Sequence, residues 1–329
     1  MTEAILKIEG LKTHFYTEAG IVKAVDNVTF EIKKGESLGL VGESGSGKTV
    51  TALSVLRIIP KPGRIVEGKI IFKGKNLAEY SEKEMQKLRG TEIAIIFQDP
   101  SSSLNPVYTV ETQLRDILLA HETLTKEECR KKILELLNLV GIPEAELRMR
   151  EFPHQFSGGM KQRVAIARAL ALHPELLFAD EPTTSLDVTI QAQVLDLLEK
   201  LKQELNMSLV MITHDMGIIA KMTTRVVVMY AGNVCEIAPT GDLFERPRHP
   251  YTALLLAAVP RLDMRKTLSI IPGNIPNLIE PPSGCRFHPR CKYASDKCKQ
   301  TPPELVEIGP DHFIACHNWS SIKVNGAEP

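Results

Sequence analysis

The run Gly42-Glu43-Ser44-Gly45-Ser46-Gly47-Lys48-Thr49, followed by Val50, fits the pattern glycine, four residues, Gly-Lys-Thr. Such a loop cradles phosphate: glycines let the backbone turn so that successive N–H groups point inward, and a helix starting at its end adds a favourable dipole. In this pattern Lys48 reaches the β- and γ-phosphates of a nucleotide, and the Thr49 hydroxyl ligates Mg²⁺. A second group ends the apolar run Leu176-Leu177-Phe178-Ala179-Asp180-Glu181. Asp180 is suited to hold Mg²⁺ through water, and Glu181 to polarise an attacking water as a general base. The third group is Cys285, Cys291, Cys298 and Cys316, separated by five, six and seventeen residues. Four thiolates suit Zn²⁺ or an iron–sulfur cluster. These gaps match neither zinc-ribbon pairs nor the common ferredoxin patterns, so spacing leaves zinc, a cluster and unmetallated thiols open.

Particular elements must position these groups. Residues 37–41 read as a short apolar strand and 48–58 as a helix, so the glycine loop joins a strand to a helix. Further strands are expected at 93–97, 176–179, 208–213 and 225–230, with helical patterns at 126–139, 160–172 and 189–205 between them. Strands alternating with helices imply an α/β fold with a mainly parallel sheet, and residues 4–8 and 22–32 read as an antiparallel β layer. From Pro272 onward prolines recur, which leaves little room for long helices or central strands. That segment needs another source of order, which four cysteines could supply. The expected organisation is a nucleotide-binding domain over residues 1–245, with a helical subdomain at about 100–165, and a small proline-rich metal-binding module over 246–329.

Composition narrows the function. The 329 residues carry 40 basic and 40 acidic side chains, and this zero net charge argues against a nucleic-acid partner. Apolar residues make up 43% of the chain, enough for a sizeable core. The N-terminal residues lack the pattern of a secretory signal, and apolar runs such as 253–259 fall short of the roughly 18 residues of a membrane span. A cytoplasmic protein that meets a membrane through a partner is expected. In a reducing compartment clustered cysteines point to metal rather than disulfides, with Cys129 and Cys235 left as packing residues.

Phe156-Ser157-Gly158-Gly159-Met160-Lys161-Gln162-Arg163 resembles the signature motif of the ATP-binding-cassette (ABC) family. Gln98 in Phe97-Gln98-Asp99 resembles that family's Q-loop, Ser185-Leu186-Asp187 its D-loop, and Thr213-His214-Asp215 its switch histidine. The resemblance runs over about residues 4–240. It implies ATP hydrolysis by a pair of cassettes closed around two nucleotides. Ser157, Gly158, Gly159 and Met160 would meet the γ-phosphate of the nucleotide on the partner cassette. His214 would contact the γ-phosphate, and Gln98 would sit near Mg²⁺ and the water. An aromatic before the second strand would stack on adenine; Phe15 and Tyr16 both qualify, and Phe15 is favoured. Phe156 and Met160 stand where Leu and Gln are commoner, with Met160 usual in the peptide-importing branch.

Pro100-Ser101-Ser102-Ser103-Leu104-Asn105-Pro106-Val107-Tyr108-Thr109-Val110 and His249-Pro250-Tyr251-Thr252-Ala253-Leu254-Leu255 are similar to segments of dipeptide and oligopeptide importer ATPases. Cys285 to Ala294 resembles their C-terminal region, which implies a 4Fe–4S cluster on the four cysteines, with zinc the alternative. The implied partners are a second identical or homologous ATPase subunit, two transmembrane permeases and an extracytoplasmic peptide-binding protein. The protein would then lie on the cytoplasmic face of the membrane. A nickel-importer ATPase is the alternative within the family, and a soluble non-transport ABC ATPase the alternative outside transport.

Overall fold

Unbroken apolar runs mark strands covered on both faces, and Ser37–Val41, Leu176–Asp180 and Arg225–Tyr230 are buried at every residue. They belong to a computed structural model that describes residues 3–184, 186–258 and 271–321. The chain divides into two units, Met1–Glu79 with Met211–Pro329, and Tyr80–Val210. The described residues beyond 245 share the first unit with the phosphate loop.

The first unit carries the antiparallel layer. Its four strands run in the order Gly20–Lys33, Ala4–Thr17, Gly63–Phe72 and Lys75–Asn76. Ile5, Leu6, Ile8 and Leu11 are buried, and register shifts on either side of Leu11 interrupt the alternation. Strand Ser37–Val41 pairs parallel with Arg225–Tyr230, Leu38 facing Arg225 and Val41 facing Val228. From there Asn233–Pro239, His312–Ile314 and Val306–Gly309 continue the sheet antiparallel.

The proline-rich segment thus contributes only short strands at one edge of the sheet, in keeping with the little room that prolines leave for long helices or central strands. Pairs Glu236–Ile314 and Ile237–Phe313 form its ladder, and no proline occupies His312–Ile314. Beneath the ladder, the fully buried Glu236 carboxylate accepts from the Arg248 N–H (2.9 Å), the His249 N–H (2.9 Å) and His312 Nε2 (2.8 Å). A buried charge met by that many donors is held rather than merely tolerated.

In the second unit, Ile93–Ile96 pairs parallel with Leu176–Asp180. The helices Val110–His121, Lys126–Leu139, Gly158–Leu170 and Val188–Leu205 accompany these strands. Thr125 and Glu128 form a reciprocal capping box that starts the second of them. Strand Ser208–Ile212 crosses the division: the Ser208 N–H bonds to Glu175 O at 2.8 Å, and the Thr213 N–H to Leu40 O at 3.4 Å.

Candidate nucleotide site and cysteine cavity

The glycine loop is shaped by contacts that only glycine permits. Gly42 has φ 151°, and a Cβ there would lie 2.1 Å from Met229 O; at Gly47, with φ 102°, it would lie 2.5 Å from Ala24 O. Lys48, 6% exposed, curls back so that Nζ donates to Gly42 O (2.8 Å) and Glu43 O (3.0 Å). Helix Lys48–Leu56 then begins with no side-chain cap and no acidic residue in its first turn. Every other described helix of seven or more residues has a side chain accepting from its first turn. An uncapped helix start beside an ammonium group suits the phosphates of a nucleotide.

Asp180 ends its strand at 2% exposure, and Glu181 follows in the left-handed region at φ 45°. A non-glycine residue held there is strained, and such strain gathers at functional sites. The Gln98 amide Nε2 and the Thr184 hydroxyl each donate to Glu181 Oε2 at 2.9 Å. The second unit thus brings Gln98 and Glu181 together. Thr184 is the residue that sequence reasoning missed, although it lies one turn beyond Glu181 in Glu181-Pro182-Thr183-Thr184. Thr49 in the first unit, with Asp180 and Gln98 in the second, carries hard oxygen donors of the kind Mg²⁺ prefers.

The signature residues start helix Gly158–Leu170, where Ser157 Oγ accepts from the Met160 N–H at 3.3 Å. A Cβ on Gly159 would come within 2.6 Å of Ile190 Cγ2, so this glycine also lets the helix pack closely. Asp187 caps helix Val188–Leu205 through the Ile190 N–H at 3.0 Å. Leu186 lies 3.5 Å from where a Cβ on Gly158 would stand, and Ser185 lies outside the described residues. In the first unit His214 is exposed, just ahead of helix Met216–Met222, which Asp215 caps.

Comparison with known proteins places these motifs. The family described as ABC transporter matches residues 25–184, and the oligopeptide/dipeptide transporter C-terminal region matches residues 235–298. The oligopeptide transport ATP-binding protein OppD of Bacillus subtilis is 47% identical over 94% of this chain and 87% of its own. The dipeptide transport ATP-binding protein DppD of Escherichia coli is 46% identical over 95% and 96%. The chain belongs to the ABC transporter ATP-binding family. Among solved structures, the dimeric ATP-binding cassette MJ0796, in a post-hydrolysis state with ADP and phosphate, is 29% identical with a TM-score of 0.64, covering 71% of this chain and 98% of that one. The α/β ABC ATPase fold and ATPase activity follow from this membership.

Phe15 and Tyr16 of this ABC ATPase differ in surroundings. The Arg64 guanidinium lies 3.9 Å from the centre of the Tyr16 ring and covers one face. At Gly63 a Cβ would press to 2.6 Å on Phe15 Cε1, so the glycine makes room for that ring.

Cys285, Cys291, Cys298 and Cys316 line one cavity, together with Phe287 and His249. The expected metal-binding module is not borne out in that form: among the described residues, no group of three or more His, Cys, Asp or Glu side chains could hold a metal ion. Zinc needs sulfurs about 3.8 Å apart around one centre, and among the described residues no three such side chains are grouped for one ion. Burial pushes Cys285 up to about 12 and Cys316 up to about 11, and raises Cys291. Order here comes from hydrogen bonds, such as the Cys285 N–H to Cys298 O at 2.8 Å, and from the strand ladder. His312 and His317 are engaged with Glu236 Oε1 and Thr301 O, each at 2.8 Å. Cys129 and Cys235 are buried packing residues.

Proposed function

We propose that this ABC ATPase powers the import of dipeptides or oligopeptides, with Glu181 as the base of ATP hydrolysis. The observation that carries the chemistry is Glu181, held in a strained backbone with Gln98 and Thr184 both donating to one carboxylate oxygen. The carboxylate is the candidate acceptor for the proton of an attacking water. Lys48 and the N–H groups at the start of its helix bind phosphate, and His214 contacts the γ-phosphate. Mg²⁺, when bound, neutralises charge developing on the phosphates; Thr49, Asp180 and Gln98 would hold it. Phe15 stacks on adenine, since one face of Tyr16 already carries Arg64.

The cargo reading is supported by similarity to peptide-transport ATP-binding proteins along the cassette and through the C-terminal region. Two permeases, a peptide-binding protein and a second ATPase subunit would complete the transporter, the second offering Ser157, Gly158, Gly159 and Met160, with Ser185, Leu186 and Asp187 beside them, to the nucleotide across the dimer. No described helix is long and apolar enough to cross a membrane, which accords with attachment to the cytoplasmic face through permeases. The finer organisation into a cassette over 1–245 and a C-terminal module over 246–329 belongs to the same reading. So does a 4Fe–4S cluster on the four cysteines, supported by their common cavity, because each thiolate of a cluster binds its own iron rather than one shared centre.

Reconstitution with permeases and binding protein tests the cargo: di- or oligopeptides should stimulate ATP turnover, and stimulation by nickel complexes alone would refute it. Glu181→Gln should retain ATP and lower turnover by about 10²- to 10⁴-fold, measured as phosphate release. Unchanged turnover would remove Glu181 as the base. Anaerobic purification should give a brown protein with about four irons; a colourless one with stoichiometric zinc would reject the cluster.

A further inference from the structure

The segment 285–291 carries two arginines, of which Arg290 reaches the phosphate loop directly and Arg286 the backbone beside it. Arg290 grips Glu43, the second residue of the loop, with both nitrogens: Nη1 to Oε2 at 2.8 Å and Nη2 to Oε1 at 3.2 Å. The pair is largely enclosed, the side chains being 5% and 22% exposed, so it escapes the screening that makes surface pairs weak. Arg290 Nη1 also lies 3.2 Å from the Tyr230 hydroxyl, and Nε donates to Pro272 O at 2.7 Å, which fixes the guanidinium plane.

The Glu43 backbone is held as well, its N–H donating to the Tyr251 hydroxyl at 2.9 Å. Burial pushes the Tyr251 phenol far above its usual range, so it stays a neutral acceptor. Its ring packs against Tyr230 and Phe287, with centres 4.7 and 5.3 Å away. Arg286 at the other end donates to Ala231 O and pairs with Asp26, and the next N–H, that of Gly232, bonds to Ser46 O at 2.9 Å. Arg290 therefore holds a loop whose first residues Lys48 also holds through Gly42 O and Glu43 O, and Arg286 holds the Ala231 carbonyl next to the residue that bonds Ser46 O.

We propose that Arg290 and Tyr251 are positioning residues of the phosphate loop: by fixing Glu43, the C-terminal segment sets the ATP affinity of this ATPase. This rests on reading residues 42–49 as the nucleotide site. A loop whose N–H groups are pre-set binds phosphate without first losing conformational freedom, so the effect falls on binding rather than on the chemical step.

Nucleotide binding by the purified full chain and the kinetics of ATP hydrolysis test this, with the unfolding midpoint followed in parallel. Tyr251→Phe keeps the ring and deletes the acceptor; ATP should bind about threefold to tenfold more weakly, with KM raised and kcat unchanged. Arg290→Gln should weaken ATP by about tenfold or more, and Arg290→Lys, which keeps charge without the fork, should recover part of the loss. Glu43→Gln combined with Arg290→Gln should cost no more than the worse single change, as expected when both remove one interaction. Unchanged ATP affinity in Tyr251→Phe, or additive losses in the double variant, would overturn the proposal even if Arg290→Gln fails to fold. Lys48→Ala separates the two levels. If it weakens ATP while Tyr251→Phe does not, positioning alone fails; if it leaves ATP binding unchanged, the nucleotide site fails and the positioning with it.

Discussion

Two helices of this protein start with glycine where the sequence expects phosphate, and their starts are built differently. At Lys48–Leu56 the residue before the helix is Gly47 in a left-handed conformation, no side chain caps the first turn, and a lysine stands there. At Gly158–Leu170 the residue before it is Ser157 in an extended conformation, whose hydroxyl already accepts from the Met160 N–H. The first start has no side-chain cap and adds a cation. The second satisfies one donor internally and presents glycine surface with no charge of its own in the first turn beyond Lys161. Physically, the first is a site that can bind phosphate alone. The second is a weaker donor set, which in the proposed dimer would contribute once a nucleotide already held by the partner is brought against it.

The largest expected effect separates the two starts directly. Lys48→Ala should weaken ATP binding by about 10- to 150-fold, the loss of charge-assisted hydrogen bonds, as titrated with a fluorescent nucleotide on the isolated chain. Ser157→Ala should leave that same titration unchanged, because the isolated chain has no partner nucleotide to meet. A comparable loss in both would erase the distinction. The next effect is one of packing. Gly159→Ala forces a Cβ to within 2.6 Å of Ile190 Cγ2, a near and stiff part of that side chain, and should cost about 1–3 kcal/mol in denaturant unfolding.

How much of this was legible beforehand depends on how local the determinant is. The strand, glycine loop and helix around Lys48 are contiguous, so eight residues disclose both element and chemistry. Strand Gly63–Phe72 was not singled out, because Gly68, at φ 101°, fits where a Cβ would lie 2.5 Å from Leu11 Cα, and the pairing register slips beside it. A slip of one residue exchanges the faces and hides alternation. The hydrogen bond from Gln98 to Glu181 joins residues 83 positions apart, and no spacing rule connects them. The cysteines were legible as a group but not as a geometry: sequence places four thiols in one segment, whereas only the fold shows that they line one cavity without three of them grouped for a single ion. One tie on that segment is His312 to Glu236, a charged residue in a strand, whose three donors come from residues 12 to 76 positions away. Replacing Glu236 by Ala would leave His312 Nε2 and two backbone N–H groups unmatched.

The smallest effects sharpen the contrast most. Ser157→Ala removes a cap and should cost about 1 kcal/mol in unfolding experiments on the full chain. Gly158→Ala has a different expected sign. A Cβ there meets only Leu186 Cδ2, at an ordinary 3.5 Å, and alanine is the better helix former by up to about 1 kcal/mol, so the unfolding midpoint should hold or rise. The neighbouring glycine at 159 fails for lack of room, whereas this one has room and is exposed. If turnover in the assembled transporter falls in Gly158→Ala while stability and ATP binding by the isolated chain do not, the glycine is there to let something outside the chain come close. Full turnover in that variant would instead reduce the second helix start to an ordinary capped helix.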